Sequence, residues 1–155
     1  MSELPVFTLE ELEQVPPVEV TSFDNDAAVS LGEVAVDVIR ELRLNLAVRV
    51  LVAGDVVFVA KLGRTGPDND PWLQGKALVA ETFGEPSLLV RRRHEESGTP
   101  FEQRDDVDHA AMRAHGGAVP IFVAGRVAGS ITMSGEPDVV DHAAAVEALR
   151  RYLAD

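Results

Sequence analysis

Two valine-rich segments, each interrupted by a glycine-containing pair, constrain the fold of this chain more than any other feature of the sequence. The first joins residues 46–53 to 56–62 across Gly54-Asp55, and the second joins 119–124 to 127–133 across Gly125-Arg126. Short runs of β-branched residues on both sides of such a turn are typical of β-hairpins. Because hairpins pair antiparallel strands, the sequence predicts a central antiparallel sheet built from two hairpins.

Helical signals flank the hairpins. Capping residues, apolar spacings of three and four, and Gly or Pro stops predict helices at residues 9–15, 24–43, 70–83, 87–96, 105–115 and from 138 nearly to 155, with a short edge strand at 18–20. Asp70 and Ser87 are the predicted N-caps of two of these helices. The order helix, hairpin, helices, hairpin, helix predicts an α+β fold with helices flanking the sheet, rather than a doubly wound parallel fold.

The two hairpins also resemble each other in sequence. Val52-Ala53-Gly54-Asp55-Val56 is echoed by Val123-Ala124-Gly125-Arg126-Val127, and each hairpin precedes a Gly/Pro loop and a helix. One interpretation is that similar hairpins use similar turn residues. The other is a chain of two pseudo-symmetric halves whose hairpins share one sheet.

Charge and composition exclude several classes of protein. The 155 residues carry a formal net charge of −12, which disfavours binding to nucleic acids and to anionic lipids. There is no cysteine, so disulfides, zinc–thiolate sites and cysteine nucleophiles are excluded. The N-terminus lacks a signal-peptide pattern, and no apolar run reaches the roughly 18 residues of a membrane span. We therefore expect a single cytoplasmic domain over residues 1–155.

The loop from Gly66 to Pro71 leads into the only tryptophan, Trp72. Trp72 lies one helical turn before Lys76, so both side chains can face the same way. An aromatic wall beside a cation, with Asn69 nearby, suits a flat anionic ligand. The alternative is that the loop caps the following helix while Trp72 fills the core.

His115 is a candidate for acid–base or metal chemistry. It precedes Gly116-Gly117, whose amides can approach a ligand closely or adopt positive φ. These features make His115 a possible base or metal ligand. The alternative is that His115 occupies the last turn of a helix that Gly116 ends.

His142 is the second histidine of interest. It is predicted to face the protein, because it shares an apolar helical stripe with Val139, Val146, Leu149 and Leu153. It is either a hydrogen-bonded core residue or, where it lines a pocket, an available ligand.

Ser134-Gly135, just before the last helix, has the composition of an amide nest for an anion. Glu136, Asp138 and Asp141 occupy the same helix end and would repel a phosphate. We therefore do not expect phosphate to bind there.

Arg91-Arg92-Arg93 is the strongest basic cluster of the chain. Glu95 and Glu96 follow at helical spacing, which predicts internal pairing on a solvated face. Elsewhere the sequence contains no Walker loop, G-x-G-x-x-G, H-E-x-x-H or G-x-S-x-G motif.

Taken together, these segments resemble one known family. The ordered set is Pro67-Asp68-Asn69-Asp70-x-Trp72-x-x-x-Lys76, Ser87, His115-Gly116-Gly117-x-x-Pro120-Ile121, Ser134-Gly135, and Asp141-His142 with Glu147-Ala148-Leu149. It resembles the UPF0303 branch of the haem-degrading-domain superfamily, which includes relatives of GlcG and HbpS. The resemblance runs from Phe23 to Leu153 and leaves residues 1–20 as an N-terminal extension.

The resemblance implies a profilin-like α+β domain that forms homo-oligomers and binds a ligand. Some members of the wider superfamily bind or degrade haem and others bind cobalamin-related molecules, so haem or another tetrapyrrole is the implied ligand. The implied ligand-binding residues are Asn69, Trp72, Lys76, His115, Gly116, Gly117, Pro120, Ser134, Gly135 and His142. If haem binds, His115 or His142 would ligate the iron, and Lys76 or an arginine would pair with a propionate.

This chain departs from the family pattern at two positions. Gly75 precedes Lys76 where the family has arginine, and Val119 stands where it often has phenylalanine. The missing arginine removes a cation from the implied anion site. Glycine inside a helix costs about 1 kcal/mol relative to alanine, so we expect close packing to compensate at Gly75.

Three functions remain open from the sequence. The first is a haem- or tetrapyrrole-binding protein, with or without haem degradation. The second is a non-enzymatic oligomeric protein-interaction module whose acidic surface attracts basic partners. The third is an enzyme acting on a small molecule in a pocket around Asn69, Trp72, Lys76 and His115, for which a perturbed pKa of Lys76 or His115 would be a sign.

Overall fold

The computed structural model describes residues 3–154 and confirms the predicted α+β class. The helices are α1 (Leu9–Gln14), α2 (Asn25–Glu41), α3 (Asp70–Phe83), α4 (Ser87–Ser97) and α5 (Asp138–Ala154). The strands are β1 (Val18–Val20), β2 (Ala47–Val52), β3 (Asp55–Lys61), β4 (Ala118–Val123) and β5 (Arg126–Ser134). Short 3₁₀ helices lie at Pro67–Asn69 and Phe101–Gln103. Within residues 3–154, no helix is both long and apolar enough to cross a membrane.

All five strands form one sheet in the order β1-β4-β5-β2-β3. Both predicted hairpins are present, and they join because β2 pairs with β5 antiparallel, with Val48 opposite Met133. β1 instead runs parallel to β4, with Val18 opposite Ile121. The predicted antiparallel sheet of two hairpins is therefore confirmed as the four strands β4-β5-β2-β3, and the parallel edge strand β1 makes the whole sheet mixed. No tight turn links β1 to β4, so only tertiary packing sets its direction.

Each hairpin turns at an Ala-Gly pair, one residue earlier than predicted. Ala53 and Gly54 have φ values of 51° and 80°, and Ala124 and Gly125 have φ values of 50° and 76°. Positive φ at both central residues is the type I′ turn, whose twist matches that of the flanking strands. The shared turn geometry and the shared sheet agree with the sequence echo between the hairpins.

The main core lies between one face of the sheet and helices α2 and α5. Its fully or nearly fully buried members include Leu31, Val38, Ile39, Val48, Val50, Ile131, Met133, Ala145, Ala148 and Leu149. The apolar stripe of α5 is narrower than predicted, because Val146 and Leu153, which were assigned to it, are exposed.

Helix α3 covers the other face of the sheet, which carries polar side chains. Ser130, Thr132 and Ser134 of β5 are at most 4% exposed and alternate with core residues along the strand. Ser130 Oγ donates to Glu81 of α3 at 2.5 Å, and Lys76 of α3 reaches the backbone of the same strand. A polar surface therefore runs beneath α3 toward the end of β5.

The segment between α4 and β4 is irregular, so the predicted helix at residues 105–115 is wrong. Phe101 anchors this segment in a small apolar cluster and is 2% exposed. Asp108 Oδ1 accepts a hydrogen bond from the Ala110 amide at 2.9 Å. Aspartate side chains that bond locally in this way compete with helical hydrogen bonds. His115 consequently lies in an irregular segment, not in the last turn of a helix.

The two predicted N-caps have other roles. The 3₁₀ helix that precedes α3 runs directly into it, so Asp70 lies inside the helix and pairs with Lys61 at 2.9 Å. Ser87 begins α4, and its hydroxyl accepts a hydrogen bond from the Ala118 amide at 3.0 Å. Ser87 therefore ties α4 to β4 and does not cap its own helix.

Candidate functional site

One cleft collects most of the residues that the sequence singled out. It has a volume of about 270 Å³ and lies where α3, the β5–α5 connection and the segment before β4 meet. It is lined by Asn69, Trp72, Lys76, His115, Ser134, Gly135, Glu136, Asp138 and Asp141. The first six of these were predicted site residues. We refer to this site as the Lys76 cleft.

A buried ion pair forms the floor of the Lys76 cleft. Lys76 Nζ donates to Asp141 Oδ2 at 2.7 Å and to the Met133 carbonyl at 3.1 Å. The two charged side chains are 3% and 1% exposed. Burial raises the pKa of Asp141 to about 6, although the ammonium of Lys76 opposes that rise. Because neither charge reaches solvent freely, the pair behaves as one unit, and loss of either partner strands the other.

Gly116 and Gly117 lie beside the cleft and do not line it. Gly117 has a φ of 140°, and a Cβ there would lie under 3.0 Å from the Met133 carbonyl oxygen and 3.1 Å from Lys76 Nζ. The Gly116 amide donates to Asp138 Oδ2 at 2.9 Å. The two glycines therefore allow the close backbone approach that was predicted, but toward the protein's own charged groups.

His115 and Trp72 form one wall of the cleft. Their rings meet edge to face with centroids 5.1 Å apart, and His115 Nε2 lies 3.7 Å from Glu102. Burial and the nearby Arg91 lower the pKa of His115, which favours the neutral form of the ring. A neutral imidazole in a cleft can accept a proton, which agrees with the enzyme hypothesis for this pocket.

Arg113 lies against Trp72, with its guanidinium carbon 4.3 Å from the ring centroid. It also packs on Gly75, where an added Cβ would lie 2.7 Å from Arg113 Cγ. The close packing expected at Gly75 is therefore confirmed. Since Arg113 occupies one face of the indole, that face is not available to a flat ligand.

The basic cluster of α4 is internally paired, largely as predicted. Arg91 and Arg92 both bind Glu95, at 3.3 and 2.8 Å. Arg91 also reaches Asp138 at 2.5 Å, which ties α4 to the cleft. The predicted pairing with Glu96 is wrong, because no ion pair within residues 3–154 involves that side chain.

Pro120 and His142 lie outside the Lys76 cleft. Pro120 is in β4, opposite Ser130 of β5. His142 is 3% exposed on α5, and its ring meets that of Phe7 edge to face with centroids 4.8 Å apart. Its Nδ1 is buried and has no hydrogen-bond partner in residues 3–154. The prediction that His142 faces the protein is confirmed.

The buried His142 makes stability depend on pH. Burial lowers its pKa from 6.5 to about 4, so the unfolded chain binds a proton first as the pH falls. Stability is therefore lost between pH 6.5 and pH 4, by about 3 kcal/mol for this residue at pH 4. Urea unfolding of the wild type and of His142→Phe at pH 7 and pH 4 isolates this contribution, because Asp141 titrates in both proteins. An equal loss in the two proteins would show that His142 contributes nothing to it.

Two features of the site were missed from the sequence. The first is the ion pair between Lys76 and Asp141, which lie 65 residues apart in the chain. One feature of the sequence could have indicated that Lys76 has a partner. Lys76 occupies a helix position among buried apolar residues, where a lysine requires a carboxylate partner. No sequence signal links Phe7, in the N-terminal extension, to His142.

Comparison with known proteins identifies the family. The sequence model described as haem degrading protein HbpS-like matches residues 23–150. The chain belongs to this family. UPF0303 proteins of Streptomyces coelicolor and Streptomyces avermitilis are 42% and 38% identical to it over 134 and 148 residues, which are 86% and 94% of this chain and 85% and 91% of theirs. The resemblance that the sequence motifs carried is therefore confirmed.

Solved structures share the fold of this HbpS-like protein. The Ybr137w protein has a TM-score of 0.85 at 26% identity, and the alignment covers 96% of this chain and 90% of the Ybr137w chain. HbpS has a TM-score of 0.70 at 18% identity, with coverages of 91% and 95%. A complex of PduOC with haem has a TM-score of 0.71 at 15% identity, with coverages of 83% and 94%. At such identities the last two show the fold alone.

Haem, which the family description names, does not fit the Lys76 cleft. Pockets for drug-sized ligands measure roughly 300–1,000 Å³, whereas this cleft has about 270 Å³. Lys76 is already bound to Asp141, and the carboxylates of Glu136 and Asp138 would repel a propionate. His142 fits haem better, because it offers a neutral imidazole with an unpartnered nitrogen beside apolar side chains.

Proposed function

We propose that this HbpS-like protein binds haem through His142. The observation that carries the proposal is the buried Nδ1 of His142, which has no partner in the described part of the chain. Unpartnered buried polar atoms are rare and require a cause, such as a ligand that binds there. Neutral imidazole is a common haem-iron ligand, and the family match supports haem as the ligand.

The surroundings of His142 suit a flat apolar ring. A small apolar cluster beside it contains Leu12, Leu88 and Leu89, with Phe7, Leu9 and Val139 packed against them. Val139 precedes His142 by one turn of α5, so both lie on the same helix face. Burial lowers the pKa of His142, the carboxylate of Asp138 opposes that change, and Arg92 lowers the pKa to a smaller extent, so both a carboxylate and a guanidinium act on the ring. Of this cluster, Leu88, Leu89 and Val139 offer a surface for the macrocycle, and Arg92 offers a cation for a propionate.

His142 is a better candidate iron ligand than His115. Asp138 acts on both histidines, but His115 also lies 3.7 Å from Glu102 and shares its cleft with Glu136, so an anionic porphyrin would meet more carboxylates there. When bound, haem iron supplies redox chemistry with dioxygen. The role of this chain's residues is to bind and orient the group and to keep the imidazole neutral through burial.

A hemin titration tests this proposal. Wild-type protein is expected to give a saturable, shifted Soret band at stoichiometric hemin, since the imidazole ligates iron. The band should be lost in His142→Ala and kept in the matched control His115→Ala. Addition of ascorbate under air then separates binding from degradation through decay of the band. A band retained in His142→Ala, or a non-saturating response of the wild type, would contradict the assignment.

A second candidate function is the binding of a small polar molecule in the Lys76 cleft. Three donors there have no partner in residues 3–154: the third N–H of Lys76, the side-chain amide of Asn69 and the Ser134 hydroxyl. The carboxylates of Asp138 and Asp141 instead already accept hydrogen bonds from the protein. These donors favour a small ligand that presents a carbonyl or hydroxyl oxygen.

Homo-oligomerisation, a single domain over residues 1–155 and a cytoplasmic location stay predictions. Strand β3 supports the first of them, because it forms an edge of the sheet and carries Val56 and Val59, which are 41% and 49% exposed. An exposed edge strand with apolar side chains is a surface for pairing with another chain. A second copy of this chain is the partner we propose there.

A further inference from the structure

The N-terminal segment covers His142. Phe7 packs edge-on against the imidazole, and its carbonyl accepts a hydrogen bond from Arg92 Nε at 3.0 Å. Leu12 of α1 is 5% exposed against Leu88 and Leu89 of α4. Residues 7–13 therefore contribute to the burial of His142, and we refer to them as the cover.

The cover is weakly attached. Its helix, α1, has six residues, whereas helices that are stable alone in water need roughly 12–15. Besides the apolar contacts of Phe7, Leu9 and Leu12 and the hydrogen bond from Arg92, it is held by an ion pair between Glu13 and Arg93 at 2.6 Å, in which both side chains are exposed. Such exposed pairs stabilise little. The matched family domain begins at residue 23, so the cover lies outside it.

Opening of the cover would change three groups together. His142 Nδ1, which has no protein partner, would become accessible. Leu88 and Leu89 would lose the apolar side chains that pack on them. Arg92 Nε would lose the Phe7 carbonyl as an acceptor and become available, while Arg92 Nη1 would keep its bond to Glu95 at 2.8 Å. Together these groups are an iron ligand, a surface for the macrocycle and a partner for a propionate.

We propose that residues 7–13 are a displaceable cover over the haem site, and that Arg92 exchanges the Phe7 carbonyl for a haem propionate when the cover opens. This inference rests on the proposed haem binding at His142. Because only open molecules bind, the apparent affinity equals the intrinsic affinity multiplied by the open fraction. Loosening the cover therefore strengthens hemin binding.

Hemin titration of full-length variants tests the cover. Phe7→Ala is expected to bind hemin about tenfold more tightly than the wild type. Val6→Ala, at a position that is 76% exposed, is the matched control and should bind like the wild type. Amide hydrogen exchange of the wild type gives a second readout, in which hemin should lower protection in α1 and leave α2 protected. If Phe7→Ala bound hemin as tightly as the wild type or more weakly, residues 7–13 would not be a displaceable cover. The same would follow if hemin did not lower the protection of the α1 amides against exchange.

The role of Arg92 is tested with hemin and its dimethyl ester, which lacks charged propionates. In the Phe7→Ala background, Arg92→Gln is expected to weaken hemin about tenfold and to leave the ester unchanged. If Arg92→Gln weakened the binding of both porphyrins equally, Arg92 would not contact a propionate. Hemin binding that depends on His142 but not on Phe7 would contradict the proposed cover and would still support haem binding at His142. No saturable Soret band in any variant would defeat haem binding itself.

Discussion

Replacement of Lys76 by methionine is expected to destabilise the folded protein by about 3–5 kcal/mol at pH 8. Methionine keeps most of the side-chain volume, so the loss comes from the charge left behind. Asp141, which is 1% exposed, would have no cation beside it. Urea unfolding monitored by circular dichroism measures the change.

The cost of this substitution should depend on pH. Burial already raises the pKa of Asp141 from 3.8 to about 6, and removal of the ammonium raises it further. Between the unfolded and folded pKa values, the folded variant holds a proton that the unfolded chain has released. Its stability is therefore lost as the pH rises through the folded pKa. The variant is expected to lie closer to the wild type at pH 5 than at pH 8.

Two further variants make the result specific to the buried pair. Lys61→Met breaks the exposed pair with Asp70, whose side chains are 31% and 45% exposed, and should cost about 1 kcal/mol or less. Asp141→Asn in the Lys76→Met background should recover much of the stability, because the amide carries no charge. A Lys76→Met cost equal to that of Lys61→Met would show that the buried pair does not stabilise the cleft floor.

The same variants test the second candidate function. A ligand that presents a carbonyl oxygen to the Lys76 cleft should bind the wild type and Lys61→Met but not Lys76→Met. Saturation-transfer NMR with a panel of small carbonyl compounds gives this readout. Equal binding to all three proteins would place such ligands elsewhere on the surface.

Replacement of Gly117 by alanine is expected to destabilise the protein by about 3 kcal/mol or more. Gly117 has a φ of 140°, which an alanine adopts only with strain, and the new Cβ would lie under 3.0 Å from the Met133 carbonyl oxygen. The two backbones cannot separate freely, because the Met133 amide donates to the Gly117 carbonyl at 3.0 Å. Thermal and urea unfolding measure the loss.

Gly125→Ala is the matched control for this substitution. Gly125 also has a positive φ, of 76°, but no atom lies within 4 Å of an added Cβ. Its cost should be limited to the conformational penalty of about 1–2 kcal/mol. Equal costs at the two positions would show that the Met133 carbonyl yields, and that Gly117 matters only through its backbone angle.

Helix α5 serves both candidate sites through adjacent residues. Asp141 points to the Lys76 cleft, and His142 points to the cover. Successive residues of an α-helix lie roughly 100° apart around its axis, so neighbours in sequence face different surroundings. This geometry separates an acidic cleft for a small polar ligand from an apolar surface for a macrocycle.

The elements that local chemistry defines could be predicted from the sequence. The glycine-containing turns and valine-rich strands predicted both hairpins, although each turn lies one residue earlier than expected, and the spacing of apolar residues predicted α2 and α5. The exception is the segment 105–115, where aspartates suited to helix starts bond locally and leave the chain irregular. The residue pattern also placed Asn69, Trp72, Lys76 and His115 in one pocket, and the resemblance to a family added Ser134 and Gly135; all six line the Lys76 cleft.

The sequence by itself determined the α+β class, the hairpins and the residue types available for chemistry, because turns and helical periods depend on neighbours along the chain. Only the tertiary structure decided which distant residues meet. It paired β1 with β4 in parallel, Lys76 with Asp141, and Phe7 with His142. These contacts join segments far apart in the chain, and the same local patterns are compatible with other packings. Burial then decided the chemistry, since it is burial that raises the pKa of Asp141 and leaves His142 neutral.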